Sequence, residues 1–444
     1  MASRGEFSLT SALSELLPAR EGLHTLSEPD WLHEKRREAR QAVKELGFPS
    51  SSIETWKYTS LHDLKKINFK AAEVTDSTID VTVLHKLEIE DSEEKTIIFV
   101  NGFFREDLGT YTNNVPGIKI EPLYKKINTL EKVKEFISDY DNEAFSALNV
   151  AAFSDGLSIQ VEDNALISVT IRLIFIGEHK DPLLRNIKSV IQLGQNAQLR
   201  LIEEYRSSIG DYGLTNVSTN IVLQKGAVLN HHRLQNEAIS SSQIAKIVAS
   251  VEANASFNSD SIVLGGQLTR LEIDVALKGK RATCRLNGLF SGTGKQHIDH
   301  HTTVRHQIGD THSEELYRGI LDDKSRGIFN GKVIVSKDAQ KITAKQTSNN
   351  LLLSRTAEID TKPELQIYAD DVKCAHGATI GQLDSAALFY LRSRGISEQE
   401  ARALLIYAFA EEIIKAIPVE NLRSNLEHRF IGHNKMSELK SEAY

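Results

Sequence analysis

The runs Glu272-Ile-Asp-Val-Ala-Leu277 and Thr283-Cys-Arg-Leu-Asn-Gly-Leu289 decide how this chain is read. Each sets apolar side chains between polar ones, the pattern of a strand with one buried face. Working outward, the same texture recurs at 168–176, 189–193, 198–204, 220–223, 261–263, 332–336 and 366–369. Turn residues bound many of these runs, as at Gly194-Gln-Asn196, Gly265-Gly266, Asn287-Gly288 and Asn330-Gly331. Helical periodicity is absent from Leu157 to Leu383. A β-sandwich usually closes in about 100 residues. So long a stretch of short strands fits better as a solenoid whose turns stack on one another. No strict repeat is present, so the reading rests on length and texture, with a pair of sandwiches as the alternative.

Helices flank this stretch. Leu32, Ala39, Val43 and Leu46 lie at helical spacing among charges, and Gly47 and Pro49 stop the helix. Ile97-Ile-Phe-Val100 reads as a strand running into Asn101-Gly102. At the far end, Asp384 caps a helix through 386–391, and Gly395 stands where a left-handed residue ends it. Ser397-Glu-Gln-Glu400 is a capping box opening a second helix. Its apolar stripe is Ala401, Leu404, Leu405, Ala408, Phe409, Ile413 and Ile417, and Pro418 ends it. The chain divides into a helical and mixed region (1–150), a β-helix core (151–383) and a C-terminal helical region (384–444).

Composition narrows the function classes. The 444 residues carry a net charge of −7, spread diffusely. Nucleic-acid binding needs clustered Lys and Arg on one face, whereas the basic pairs Arg36–Arg37 and Lys65–Lys66 read as solvated. Two distant cysteines, Cys284 and Cys374, suit a reducing cytosol and form no CxxC pair. The opening residues lack a basic segment followed by a long apolar one, and no run is long enough to span a bilayer. The expectation is a cytoplasmic protein without nucleic-acid or membrane partners.

Three constellations carry chemistry. His297-Ile-Asp-His-His301, with His306 and His312, is the densest imidazole cluster. Read as a metal site it has the right donors, but strand alternation splits it, with His297, Asp299 and His301 on one face and His300 on the other. Read plainly it is a polar strand surface. Gly292-Thr-Gly-Lys295 lacks the spacing of a phosphate loop, with Leu289 and Gln296 at the deciding positions. Cys374-Ala-His376 places a thiol and an imidazole on one face of an extended chain, a competent soft-metal pair, although the residue chemistry alone favours a structural cysteine. One Cys and one His fall short of the four ligands a cluster wants, so other donors must come from another chain. Cys284 alternates with Ala282 and Leu286 and reads as buried.

Longer motifs run through the second half: Leu316-Tyr-Arg-Gly-Ile-Leu321, Phe329-Asn-Gly-Lys-Val-Ile-Val335, Asn349-Asn-Leu-Leu-Leu-Ser354 and Asp360-Thr-Lys-Pro-Glu-Leu365. Tyr368-Ala-Asp-Asp-Val-Lys-Cys-Ala-His-Gly-Ala-Thr379 and Phe389-Tyr-Leu-Arg-Ser-Arg-Gly-Ile396 follow. Trp56-Lys-Tyr-Thr59, Val100-Asn-Gly102 and Ala147-Leu-Asn149 lie upstream. Together they resemble the SufB/SufD family of the SUF iron–sulfur cluster assembly machinery. SufB-type chains carry an acidic residue directly after the motif histidine, where Gly377 stands here, and a scaffold cysteine in the segment matching 360–370, which has none. Both departures resemble SufD.

The resemblance implies a right-handed parallel β-helix between helical regions and a non-catalytic scaffold for cluster assembly. It implies a SufB-type homologue and a SufC-type ABC ATPase as partners, and a homodimer is the expectation for the isolated chain. No cofactor is held tightly; an iron–sulfur cluster passes transiently through the complex. His376, with Cys374, is the candidate cluster or metal ligand, and Leu404, Leu405, Phe409 and Ile413 are the candidate ATPase contacts. The competing reading is a metal-dependent β-helix enzyme built on His297–His306.

Overall fold

The computed structural model describes residues 28–77, 79, 94–127, 134, 143–153 and 155–431. The expectation about a leader, and the last part of the C-terminal region, lie outside the described residues.

The chain winds between two parallel sheets. Strands Leu183–Leu193, Leu214–Leu223, Ser242–Val251, Leu268–Leu277, His297–His306, Arg326–Val335 and Glu358–Ile367 follow one another across the first sheet. Leu166–Gly177, Gln198–Ser207, Val228–Asn236, Ser256–Val263, Thr283–Gly292, His312–Leu321, Ile342–Leu352 and Val372–Gly381 alternate with them across the second. All these pairings are parallel. Paired residues are one turn apart, between 26 and 32 positions in sequence. This is a β-solenoid, and the pair of sandwiches is excluded, because sandwich sheets are antiparallel.

Alternation explains the winding. Ile247, Ile273, Val275 and Val304 of the first sheet point inward to meet Leu201, Leu229, Phe257, Cys284 and Leu286 of the second. Where the first sheet passes to the second, every passage but the last carries one residue with positive φ: Asn164, Asn196, Gly226, Asn254, Arg281, Asp310 and Lys341. At Gly226 a Cβ would meet Asn196 Oδ1 at 2.3 Å, so a larger residue there would have to displace that side chain, and glycine takes the left-handed φ without strain.

The two ends of the solenoid differ. At the N-terminal end, Ile118–Pro122 and Phe103–Arg105 pair antiparallel with Leu157–Val161 and Glu94–Val100, closing both sheets. At the C-terminal end, Glu358–Ile367 and Val372–Gly381 are outermost, with no further strand on them among the described residues.

Helices cover the outer faces. Asp30–Leu46 buries Leu32, Ala39 and Val43 as read, but Leu46 is exposed. Arg36, read as solvated, is buried: it donates to the carbonyls of Val150 and Phe153 and pairs with Glu28. Asn149, in the helix Ala144–Ala152, donates to the carbonyls of Ile187 and Asn216, fixing that helix to the first sheet. At the other end, Asp384, Gly395 and the Ser397/Glu400 capping box act as read. A third helix, Glu420–Ile431, was not foreseen. The stripe of Glu398–Ile414 is also rotated. Ala403, Ile406, Ala410, Ile413 and Ile414 are buried, with Ile406, Ala410, Ile413, Ile414 and Ile417 packed against Leu234, Ile262 and Leu289 of the second sheet.

Candidate functional site at the open end

Val372–Gly381 is the last strand of the second sheet, and it pairs with Ile342–Leu352 alone. Cys374 lies opposite Ala344 and His376 opposite Gln346. Those partners are buried, so both side chains continue inward-facing columns of the solenoid. Among the described residues no turn stacks beyond them. His376 is therefore exposed, while Cys374 is half-buried against Val333, Ala344 and Leu365. Partial burial pushes the Cys374 thiol up, away from the reactive thiolate. The strand thus brings a thiol and an imidazole to one face at the mouth of the interior.

The same last turn carries exposed apolar side chains: Tyr368 at 63 % and Ile380 at 53 %. Phe389, 72 % exposed, and Tyr390 stand on the helix Ser385–Ser393, which buries none of its residues. Of the four candidate ATPase contacts, Leu404 is exposed, and Leu405 and Phe409 are half-buried. Arg318 lies over the Phe409 ring, donates to its carbonyl and pairs with Glu412. Ile413 is 1 % exposed and packed on the solenoid, so its side chain is closed to a partner.

The histidine cluster is pulled apart. His297, Asp299 and His301 face outward beneath the segment around Trp56. Thr59 Oγ1 donates to Asp299 Oδ2 at 2.6 Å and, having one proton, accepts from His297 Nε2 at 2.9 Å. Arg270 pairs with Asp299 and lies 4.1 Å over the Trp56 ring, and His301 Nε2 stands 2.9 Å from Asp299 Oδ1. Burial works to raise the Asp299 carboxyl, but the charges of Arg270 and His301 and the bonds from His301 and Thr59 hold it well below the usual carboxylate range. His300 faces inward between Phe290 and Tyr317, where burial holds it down to about 3. His306 is tied inside to Thr311 and Ser313. The described residues contain no cluster of three or more such donors able to hold a metal. The metalloenzyme reading of His297–His306 therefore fails, and the outward face is an N-terminal strap rather than a solvated surface. Cys284 is buried as read, its thiol pushed far up by burial.

The SUF-system FeS cluster assembly SufBD core domain matches residues 175–409, and the SufBD N-terminal region matches 9–173. The chain belongs to the SufBD family. It is 32 % identical over 418 residues to an iron–sulfur cluster assembly SufBD family protein of Synechocystis, covering 90 % of each chain. It is 30 % identical over 395 residues to the iron–sulfur cluster assembly protein SufD of Escherichia coli, covering 88 % of this chain and 90 % of that one. The SufD of Bacillus subtilis is 25 % identical over 423 residues. Both SufBD regions meet within the solenoid, and the core region contains His376 and Cys374. Sequence reasoning missed one inward group of this core, Glu315. The signal was present, since Ser313, Glu315 and Tyr317 occupy alternate positions of one strand.

Proposed function

We propose that this chain is a non-catalytic scaffold subunit for iron–sulfur cluster assembly that works paired with a SufB-type homologue and bound to a SufC-type ATPase. The observation that carries the reading is the open last turn, which presents His376 and Cys374 at the mouth of the solenoid beside unpaired strand edges. Such edges suit side-by-side association with another solenoid, and the partner then supplies the missing ligands. The pairing surface spans the late β region, residues 330–376, and its outermost strand. Without the partner, a second copy of the chain takes the same place. The cluster is cargo held in transit, and the setting is the cytosol. A neutral imidazole ligates iron at cytosolic pH. No helix among the described residues is long and apolar enough to cross a membrane.

Replacing His376 by Ala in the complex reconstituted with both partners, iron and sulfide is expected to lower cluster yield while assembly and ATPase stimulation persist. Unchanged yield makes His376 structural. Cys374→Ala has a smaller effect, because the partner carries the main thiolate.

The ATPase docks on the C-terminal helices through Phe389, Tyr390 and Leu404, which remain partly exposed among the described residues. Apolar anchors of this kind contribute about 2 kcal/mol each. Phe389→Asp with Leu404→Asp is expected to weaken ATPase binding by about a thousandfold in titration calorimetry. Unaltered affinity places the dock elsewhere.

A further inference from the structure

The solenoid interior carries buried polar side chains on several turns, among them His231 and Ser259 in mid-solenoid, and it is polar again in the last turns before the open end. Along the second sheet one inward column runs Leu286, Glu315, Gln346, His376. Glu315 is fully buried. Its carboxylate accepts from Thr302 Oγ1 across the sheets at 2.6 Å and from Gln346 Nε2 along the column at 3.3 Å. Gly331 of the first sheet makes room for Gln346, since a Cβ there would lie 2.1 Å from Gln346 Nε2. Gln346 Oε1, Tyr317 Oη and both ring nitrogens of His300 are buried without a protein partner. Buried polar atoms are nearly always paired with protein or ordered water. An interior water makes about three hydrogen bonds, and these atoms offer it partners on successive turns.

We propose that Glu315 is the proton acceptor for the site at the open end, reached from His376 through water positioned by Gln346. The inference rests on the reading of His376 given above. Two strand spacings of roughly 4.8 Å separate Glu315 from the His376 strand, about 10 Å in all. When a hydrosulfide bound to iron becomes a bridging sulfide, its S–H bond breaks and the electron pair stays on sulfur. The proton passes to the Glu315 carboxylate, giving a carboxylic acid; no electron changes hands. Iron and sulfide are the substrates. The groups facing Glu315 are Thr302, Gln346, Cys284 and Tyr317, with the His300 ring 5.6 Å beyond Tyr317. Burial pushes the Glu315 carboxyl up to about 7, against the hydrogen bonds from Thr302 and Gln346. A base poised near the working pH both accepts and returns a proton readily.

Glu315→Gln imitates the protonated carboxyl and keeps its neighbours paired. Two measurements test the proposal. In the isolated chain, infrared spectroscopy should show a carboxylic acid band that titrates near neutral pH and is absent from Glu315→Gln. In the reconstituted complex supplied with iron and sulfide, the initial rate of cluster formation should rise about tenfold from pH 6 to pH 8, following the ionised fraction of a group at about 7. Glu315→Gln should be slow and flat over that range, and Glu315→Asp should restore the slope. A band that does not titrate, or a Glu315→Gln profile parallel to the native one, overturns the proposal. The His376→Ala variant separates the two ideas. If it lowers yield while Glu315→Gln leaves the profile unmoved, the proton acceptor alone is wrong. If His376→Ala leaves yield unchanged, the site reading falls and the acceptor role falls with it.

Discussion

Asp299→Ala is expected to destabilise the folded chain by roughly 3–5 kcal/mol, because it strips the counter-charge from a buried ion pair. Asp299 and Arg270 are both buried, and Arg270 also lies against the Trp56 ring. Without the carboxylate, the guanidinium stays in a poorly solvated site with only the partly exposed Glu272 at 3.6 Å to answer it. Thr59 and His301 lose their shared acceptor as well. Urea titration reads the loss as a lower midpoint at constant slope. A shift equivalent to less than about 1 kcal/mol would show that the strap is held by packing alone. The pH dependence has a definite sign. The folded pKa of Asp299 is depressed below that of the unfolded chain. Its contribution is therefore complete above the unfolded carboxylate value of about 3.9 and is lost as pH falls further. In acid, the native chain and Asp299→Ala should converge in stability.

The solenoid was legible because alternation survives in apolar strands such as Leu268–Leu277 and Thr283–Gly292. Its repeat was hidden because the quantity that repeats is a backbone angle. Asn, Asn, Gly, Asn, Arg, Asp and Lys take the left-handed position on successive turns, and a string of such residues shows no motif. The strand His312–Leu321 escaped because neither face is uniformly apolar: outside, Glu314 and Arg318 alternate with Leu316 and Ile320, which pack with the C-terminal helices, and inside, Ser313, Glu315 and Tyr317 line the interior. The same cause hid Glu315. The pairing of Cys374 with His376 follows from alternation within one strand, which sequence spacing supplies directly. That the strand lies at the open end does not follow from spacing; it depends on where strand addition stops. The rotated stripe of Glu398–Ile414 has a similar origin. The helix is apolar on most of its circumference, so periodicity could not choose which side meets the sheet, and Leu234, Ile262 and Leu289 decided it.

The second large effect is expected at the last turn. Ile380→Asp should separate this chain from a SufB-type partner, seen as two smaller species in size-exclusion chromatography. Ile380 ends the inward column of Tyr205, Gln235, Val263, Phe290, Gly319 and Asn350. It is the member of that column with no strand beyond it, and half of its surface is open. An unpaired parallel edge with apolar side chains is a template for another strand, and proteins that do not use such an edge blunt it with charge, proline or a bulge. Here the N-terminal end of both sheets is closed by antiparallel strands, while the C-terminal end keeps Ile367, Tyr368 and Ile380 uncovered. Under the proposed function, that asymmetry makes this end the place where a partner would continue the stack. A carboxylate at position 380 would have to be desolvated on pairing, and a charge buried without a partner costs several kcal/mol. At about 1.4 kcal/mol per tenfold, affinity should fall by a factor of a thousand or more. The fold itself should tolerate the change, because Ile380 is already in contact with solvent. A control at the closed end, Lys119→Asp on the exposed face of Ile118–Pro122, should leave the pair intact. If Ile380→Asp co-elutes with the partner as the native chain does, the association does not use this edge, and the donors at His376 and Cys374 would have to be completed from elsewhere.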